Sequence, residues 1–398
     1  MFDINVEDKC DDSRSCELRI GFRRFNTPSY GLIHTDMKTL IRGSNLIGNP
    51  VPSVNFHEIV IDLIDNDISK YEDTYKKRIE KNYKPDLINL CQFRFSNDIT
   101  LSPSQLEELI KIQINSEKLS VITIPDPILR EAGRPWLDGL NPSLELAEEA
   151  CETGISYVSM PTVSLEQPIE YVEKKIDWLL AKDIQSICLR ATGQFSPRLR
   201  KAAEILKKNE EPIWTHLYDL KKKFLEVSQV HLAPLANIDT ITAKKHYSAT
   251  MFHISKSVEA DKKSSDFPTP IGVPLTVKTK GPKKKVIRDL FEGKALGYLT
   301  EKERIKSYGH NLTCNCAICQ KTKSIDELEK FLSGLDRKAL VQIHETVSFS
   351  NELSQISNAI HDNELVNYYR NKKLVIENRK ELMKKFPYLE RTRYKKLW

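Results

Sequence analysis

The chain has 398 residues, of which 40% are hydrophobic and 29% are charged. This composition is typical of a globular protein and excludes the disordered and collagen-like classes. The length suits one domain of about 250 to 300 residues with a smaller appendage. The sequence contains neither an apolar stretch long enough to span a bilayer nor the apolar core of a signal peptide, so we expect a cytoplasmic protein without membrane contacts.

The positive charge, a formal net +6, is unevenly distributed along the chain. It concentrates in KTKGPKKK at 278–285 and in RTRYKKLW at the C-terminus. Clusters of this kind suit contacts with the phosphates of nucleic acid. The candidate nucleic-acid contacts are Lys283, Lys284, Lys285, Arg391 and Arg393. A solvated lysine-rich surface is an equally good interpretation of each cluster.

In chain order, the first predicted elements are two short β-like pieces, ELRIGF and SYGLIH. Pro28, Gly31 and a Gly/Asn/Pro cluster interrupt them, which predicts a β-rich lid over residues 1–50. The apolar runs at 54–64 and 86–95 flank a charged segment and indicate a strand, a helix and a strand. From residue 101 onwards amphipathic helices alternate with short apolar strands. This alternation predicts parallel strands that are buried on both faces.

The spacing of these strands fits either a closed eight-stranded barrel or an open doubly wound sheet. The sequence has neither GxGxxG after its first strand nor GxxxxGK[ST], so an open sheet that binds a dinucleotide or a nucleoside triphosphate loses its usual support. A Lys-, Ser-, Pro- and Gly-rich stretch at 254–285 predicts a long loop. Helical patterns follow it to the C-terminus.

The clearest motif is Cys314-Asn-Cys316-Ala-Ile-Cys319, followed by His344 on a predicted helix. Three thiolates and one imidazole complete the tetrahedral coordination of a structural Zn²⁺. Such an ion would attach the cysteine loop to the helical tail and contribute to folding. The alternative is a loop with three cysteines and an unrelated histidine, but three cysteines within six residues are rare by chance.

This arrangement resembles the zinc site of the tRNA-guanine transglycosylase family, particularly of its archaeal branch. The similarity extends to GYLTEKERI before the cysteines, to HETVSFSNELSQISNAIHDNELVNYY after them, and to the strand–helix–strand segment that ends in LANIDTI. It covers about residues 211–370. The resemblance implies a (β/α)8 TIM barrel, assigned to 51–300, and a zinc-binding subdomain with a basic helical tail over 301–398. It also implies exchange of a guanine in tRNA, or in DNA, for a 7-deazaguanine base.

Base exchange with retention of the sugar requires a carboxylate that attacks C1′ and a second acidic group that moves protons. In a barrel both groups belong at the carboxyl ends of strands. Asp239, in ANIDTITA, is the predicted nucleophile, and Asp126, which follows VITIP, is predicted to recognise the base or transfer protons. Asp62 is a third candidate. The structural alternatives are a helix cap or a surface aspartate for Asp239 and a turn aspartate between prolines for Asp126.

The sequence also departs from the family pattern. The family's Asp-Ser-Gly-Phe-Gln type motif is absent, and its glycine-rich base-binding segments are replaced by SMPTVS and RATGQF. In the second of these, Gly193 and Gln194 are candidate base contacts. His216 is another, although a histidine in an apolar strand is more often a core residue. Where the family has a second aspartate three residues after the first, this chain has Thr242.

Two hypotheses follow. In the first, the protein is a divergent transglycosylase that works through an aspartyl-ribosyl covalent intermediate. In the second, it is a catalytically inactive, zinc-stabilised partner subunit that positions nucleic acid, in a homodimer or a heterodimer. A barrel that hydrolyses small nucleosides is a third interpretation, which the basic tail disfavours.

Overall fold

A computed structural model describes most of the chain before residue 245 and the helical region near the C-terminus. The described residues are 1–10, 13–63, 67–94, 101–126, 137, 139–193, 197–221, 233–244, 290–292, 297–299, 314–322, 337–377 and 380. The predicted loop at 254–285 and the C-terminal basic cluster lie outside them. Within this described part, no helix is long and apolar enough to cross a membrane.

The strands and helices alternate through the first two thirds of the chain. The strands are β1 (Phe2–Cys10), β2 (Ser13–Ile20), β3 (Arg23–Asn26), β4 (Ser29–Ile33), β5 (Phe56–Asp62), β6 (Ile88–Arg94), β7 (Val121–Ile124), β8 (Val158–Ser164), β9 (Ser186–Gly193), β10 (Trp214–Lys221), β11 (Thr240–Lys244), β12 (Leu290–Glu292) and β13 (Gly297–Leu299). The helices are α1 (His34–Ile47), α2 (Glu72–Asn82), α3 (Pro103–Ser116), α4 (Asn141–Glu152), α5 (Ile169–Leu180), α6 (Pro197–Leu206), α7 (Ala317–Lys321), α8 (Arg337–His361), α9 (Leu365–Arg370) and α10 (Lys373–Glu377).

Strands β4 to β11 form a closed barrel of eight parallel strands. The circle closes where β11 pairs with β4, with Thr240 beside Ser29. Alternate residues of each strand point into the barrel or towards the surrounding helices. In β10, for example, Trp214 packs inside the barrel and Leu217 packs in the helix layer. The predicted (β/α)8 barrel is therefore confirmed.

The predicted boundary between lid and barrel at residue 51 is wrong, because β4 and α1 belong to the barrel. A Cβ on Gly31 would lie 2.5 Å from the Cβ of Phe56, so this glycine permits close packing of β4 on β5 and does not mark a turn. Strands β1, β2 and β3 form a separate antiparallel sheet. Its apolar face, which includes Leu18, packs on Trp214 and Phe56 at the amino ends of the barrel strands.

The long helix α8 attaches the C-terminal region to the barrel. It packs along α1, where a Cβ on Gly43 would lie only 2.4 Å from the carbonyl oxygen of Ala339. Any side chain at position 43 would therefore push the two helices apart. The ring of Phe349 in α8 also meets that of Tyr30 in β4, with 5.2 Å between centroids. Helix α8 is thus fixed against the first strand and the first helix of the barrel.

Asp239 lies at the opposite end of the barrel from the one predicted. It directly precedes β11, so its carboxylate is at the amino ends of the strands, beneath the β1–β3 sheet. Arg14 donates to both of its oxygens, at 2.9 and 2.6 Å, and the backbone N–H of Thr215 donates to one of them at 2.8 Å. Burial lowers the pKa of the Arg14 guanidinium, but Asp239 outweighs this effect and the net pKa shift is upward. This geometry is that of a structural ion pair.

We predict that Asp239→Asn lowers the free energy of unfolding by about 3 kcal/mol, because it leaves the Arg14 cation buried without its counter-charge. Urea unfolding monitored by circular dichroism measures this loss. Glu204→Gln is the matched control, since it removes the carboxylate of an exposed pair with Arg200 and should change stability by less than about 0.5 kcal/mol. Equal stability of Asp239→Asn and wild type would contradict the structural role.

Candidate functional site

The four predicted metal ligands come together between α7 and α8. The ligand atoms of Cys314, Cys316, Cys319 and His344 all lie within 4.8 Å of one another. The Nδ1 atom of His344 is 3.5 Å from the sulfur of Cys316 and 3.4 Å from that of Cys319. These residues could hold a metal ion, with Nδ1 as the imidazole ligand. Cysteine sulfurs and an imidazole nitrogen in this number form a closed tetrahedral donor set.

Backbone groups orient the cysteines of this cluster. The N–H of Cys316 donates to the sulfur of Cys314, and the N–H of Cys319 donates to that of Cys316, each at 3.4 Å. Such outer contacts fix the position of a thiolate and stabilise its negative charge. Just beyond the cysteines, the Nζ of Lys321 donates to the carbonyl of Ile47 at 2.7 Å. The cluster is therefore connected to the C-terminus of α1 as well as to α8.

A pocket opens at the carboxyl ends of the barrel strands, which is the face that carries the active site in barrel enzymes. Its volume is about 140 Å³. We call it the mouth pocket. It is lined by Ile33, His34, Thr35, Glu58, Val60, Asp62, Arg78, Arg94, Tyr218 and Asp219. Three carboxylates and two guanidinium groups thus surround one cavity.

Asp219 has an unusual backbone conformation in the wall of the mouth pocket. Its φ of +61° is in the left-handed region, and the pairing of β10 shifts register between Tyr218 and Leu220. Arg190 on β9 places its Nε 3.8 Å from the Asp219 carboxylate, and only 12% of the Asp219 side chain is exposed. Burial lowers the pKa of Arg190, whereas Tyr218 and Asp219 raise it, and the net shift is upward. Non-glycine residues held in this conformation are concentrated at functional sites.

Asp62 and Arg94 form the outer rim of the same pocket. They end the neighbouring strands β5 and β6, and the guanidinium donates twice to one carboxylate oxygen of Asp62, at 2.7 and 2.6 Å. The Asp62 side chain is 60% exposed. Asp62, the third carboxylate considered from the sequence, therefore reaches the pocket, but its charge is already paired and largely hydrated.

Asp126 lies just beyond the carboxyl end of β7, as expected, but its carboxylate is fully engaged by the protein. Tyr171 donates to one oxygen at 3.0 Å, Lys175 lies 2.9 Å from the same oxygen, and the N–H of Ser164 donates to the other at 2.6 Å. Burial lowers the pKa of Lys175, and Asp126 only partly offsets this effect. In this geometry Asp126 fastens α5 to the barrel, so its predicted role at the base has no support.

The other predicted site residues do not line the mouth pocket or lie outside the described residues. His216 is buried inside the barrel and forms hydrogen bonds with Thr240, so it lies below the mouth pocket and not in its lining. Gly193 ends β9 and therefore lies at the carboxyl face. Outside the described residues lie Gln194, Lys283, Lys284, Lys285, Arg391 and Arg393.

Two of the three carboxylates at the mouth pocket, Glu58 and Asp219, were not predicted from the sequence. Glu58 is an acidic residue inside the apolar strand FHEIVID, and that mismatch was an available signal. Asp219 follows the WTHLY run and was not among the candidates considered from the sequence. Its position in the pocket depends on the irregular pairing of β10, for which the local sequence carries no signal.

His34 is held neutral in the lining of the mouth pocket. Its Nδ1 accepts from the backbone N–H of Val60 at 3.3 Å, so the ring proton is on Nε2. Burial, followed by the charges of Arg78 and Lys38, lowers the pKa of His34 to about 4. Burial lowers the pKa of His57 to about 4 as well. Both imidazoles must gain a proton when the protein unfolds in acid.

We predict that stability falls as the pH decreases from about 6.5, where these histidines titrate when unfolded, towards about 4, where they titrate when folded. Each group contributes at most about 3 kcal/mol, and the full contribution is present above about pH 6.5. Urea unfolding at a series of pH values measures the slope. His34→Gln should flatten this slope. His361→Gln is the control and should leave the slope between pH 6.5 and 4 unchanged, because His361 is exposed and its hydrogen bond with Asp8 raises its pKa. An unchanged slope in His34→Gln would refute the assignment.

Comparison of the sequence with models of protein families gives no match, and comparison with curated proteins gives none either. The residues of the mouth pocket and of the cysteine–histidine cluster are therefore the basis on which function can be argued.

Proposed function

We propose that the protein is a divergent base-exchange transglycosylase, whose mouth pocket removes a guanine from tRNA or DNA and inserts a 7-deazaguanine base. The observation that carries this proposal is the partly buried, conformationally unusual Asp219 at the carboxyl end of a barrel strand. It replaces Asp239 as the candidate nucleophile. In this scheme the Asp219 carboxylate attacks C1′ and holds the ribose as a covalent ester until the new base enters.

The charges of the mouth pocket suit this chemistry. Cleavage of a bond to an anomeric carbon builds positive charge on the sugar ring. The Asp219 carboxylate, fixed at the cavity, stabilises that charge as it develops. The guanidinium groups of Arg78 and Arg94 at the same cavity suit the phosphates that flank the reacting nucleotide. No nucleoside triphosphate or redox cofactor is needed, because one glycosidic bond replaces another.

We further propose that the ion of the cysteine–histidine cluster is a structural Zn²⁺. The donor set fits zinc, because three thiolates and one imidazole leave no open coordination position for a substrate. The cluster joins α7, α8 and the C-terminus of α1. Its function in this proposal is to hold the C-terminal region in place on the barrel, and the reaction does not pass through the metal.

The base-exchange proposal predicts that the wild-type protein incorporates labelled guanine or 7-cyano-7-deazaguanine into tRNA or duplex DNA. Asp219→Asn should reduce incorporation by roughly 10⁴-fold or more, because the amide cannot act as the nucleophile. Asparagine tolerates the left-handed backbone, so the fold should persist. Label retained in each polymer is the measurement.

Asp183→Asn is the matched control for this variant. Asp183 also has a positive φ, of 51°, but it is exposed in the turn before β9, at the other end of the barrel. It should retain full activity. If Asp219→Asn were as active as wild type, Asp219 would be excluded as the nucleophile. Incorporation that also continues in Asp62→Asn would then remove both aspartates of the mouth pocket from this role.

For the metal, we predict one zinc ion per chain in the purified protein. Cys319→Ser should lose the ion and lower the melting temperature by roughly 10 °C, since binding of a structural metal contributes directly to folding. Cys151→Ser removes a thiol outside the cluster and should change neither quantity. Elemental analysis and thermal unfolding provide the two measurements. A stable protein that contains no zinc, or a different metal, would refute this assignment.

One observation favours the second candidate function, an inactive partner subunit that only positions nucleic acid. Thr242 occupies the position at which the family resemblance leads one to expect the second aspartate, and it is buried inside the barrel. Under this alternative the protein binds tRNA or DNA with a strong dependence on salt but incorporates no base. The incorporation assay distinguishes the two candidates.

A further inference from the structure

Glu58 is a buried carboxylate that the fold leaves without a hydrogen bond. The residue is 0% exposed in the middle of β5, and it lines the mouth pocket. Within the described part of the chain neither of its carboxylate oxygens has a hydrogen-bond partner. A buried carboxylate in this state destabilises a protein. Such a group is expected where a ligand supplies the missing partner.

Glu58 lies close to the buried His216, whose Nε2 is 3.7 Å from Oε2. A chain of hydrogen bonds reaches the other ring nitrogen of this histidine. The indole of Trp214, which is only a donor, donates to the hydroxyl of Thr240 at 2.8 Å. That hydroxyl is 2.9 Å from Nδ1 of His216 and can donate its own proton there. With Nδ1 as the acceptor, the ring proton is on Nε2, which faces Glu58 and lies 3.4 Å from the hydroxyl of Thr242.

The other titratable groups around Glu58 inside the barrel are thiols and a phenol. Burial raises the pKa values of Cys91, Cys188 and Tyr218, so these three groups stay protonated near neutral pH. The further charged groups of the mouth pocket are Asp62, Arg78, Arg94 and Asp219. Of these, Asp62 is the rim residue, which is already paired with Arg94, and Asp219 is the proposed nucleophile. Glu58 with His216 is thus the pair suited to proton transfer at a bound base.

We infer that Glu58 is a catalytic residue that transfers a proton to and from the base in the mouth pocket, and that His216 is its positioning residue. This inference rests on the proposed base exchange. In the first half-reaction the Asp219 carboxylate bonds to C1′, the C1′–N9 bond breaks, and its electron pair goes to N9 of the guanine. The Glu58 carboxyl gives its proton to that base, so the base leaves neutral and Glu58 becomes a carboxylate.

In the second half-reaction the same proton moves in the opposite direction. The Glu58 carboxylate takes the proton from the ring nitrogen of the incoming base. The lone pair of that nitrogen attacks C1′, the ester bond to Asp219 breaks, and the Asp219 carboxylate is restored. The two half-reactions together return both carboxyl groups to their starting states, so no further reactant is required.

The test compares two leaving bases. Glu58→Gln should lower kcat for release of guanine by about 10²- to 10⁴-fold, which is the usual contribution of acid–base catalysis. A polymer that contains 7-methylguanine needs no proton at departure, because the methylated base already carries a positive charge. Its release by Glu58→Gln should stay within about tenfold of wild type, whereas Asp219→Asn should release neither base. Equal loss of both activities in Glu58→Gln would overturn the assignment.

His216→Asn tests the positioning role. It should lower guanine release, but in the Glu58→Gln background it should cause no further loss, because it acts through Glu58. A fully additive effect in the double variant would show that His216 has only a separate structural role. Melting temperatures of all variants verify that each protein is folded.

A binding measurement separates failure of this inference from failure of the proposed function. Calorimetry with free guanine should show at least tenfold weaker binding to Glu58→Gln than to wild type, because the carboxylate contacts the base. If no polymer is modified but binding depends on Glu58, the base contact stands and the transglycosylase proposal fails. If exchange occurs and Glu58→Gln leaves both exchange and binding unchanged, the inference about Glu58 fails. If wild type neither exchanges nor binds guanine, both fail.

Discussion

The pairing of β11 with β4 closes the barrel, and the remainder of the structure depends on that seam. Asp239 lies at the seam and stabilises it through its backbone and its side chain. Its carbonyl accepts from Ser29 in β4, its N–H donates to the carbonyl of Thr215 in β10, and its carboxylate binds Arg14 of the overlying sheet. Asp239 therefore connects the start of β11 to its two barrel neighbours, β4 and β10, and to β2 of the overlying sheet. Closure in turn brings the carboxyl ends of all eight parallel strands around one opening.

The two ends of the barrel consequently differ in the side chains that line them. At the amino ends the β1–β3 sheet covers the opening with apolar side chains and with the Arg14–Asp239 pair, which contributes to stability. At the carboxyl ends a cavity lined by charged residues remains open, which is the arrangement expected for chemistry. The α8 helix connects this body to the cysteine–histidine cluster through its contact with Gly43. A metal ion held by the cluster would therefore influence the orientation of the C-terminal helices.

The sequence predicted the features that depend on periodicity or on close spacing. Alternating strands and helices indicated the barrel architecture, and the Cys-x-Cys-x-x-Cys motif indicated the cluster, because both signals are local. The position of Asp239 was not predictable to the necessary precision, since the strand begins one residue after it and a small error in a strand boundary exchanges one end of the barrel for the other. Asp219 depends on a shift in strand register, which arises from pairing between strands distant in sequence.

Three buried carboxylates show how the structural and the reactive roles can be separated on physical grounds. Asp239 and Asp126 each have a cation within 3 Å and further hydrogen bonds, so their desolvation is compensated inside the protein. Glu58 is equally buried, but among the described residues neither of its oxygens has a hydrogen-bond partner, and Nε2 of His216 lies 3.7 Å away, too far for a hydrogen bond. Burial alone therefore does not distinguish a reactive acid from a structural one. What sets Glu58 apart is that its hydrogen-bonding capacity is unmet at a cavity. A bound base can satisfy that capacity, whereas a packed core cannot.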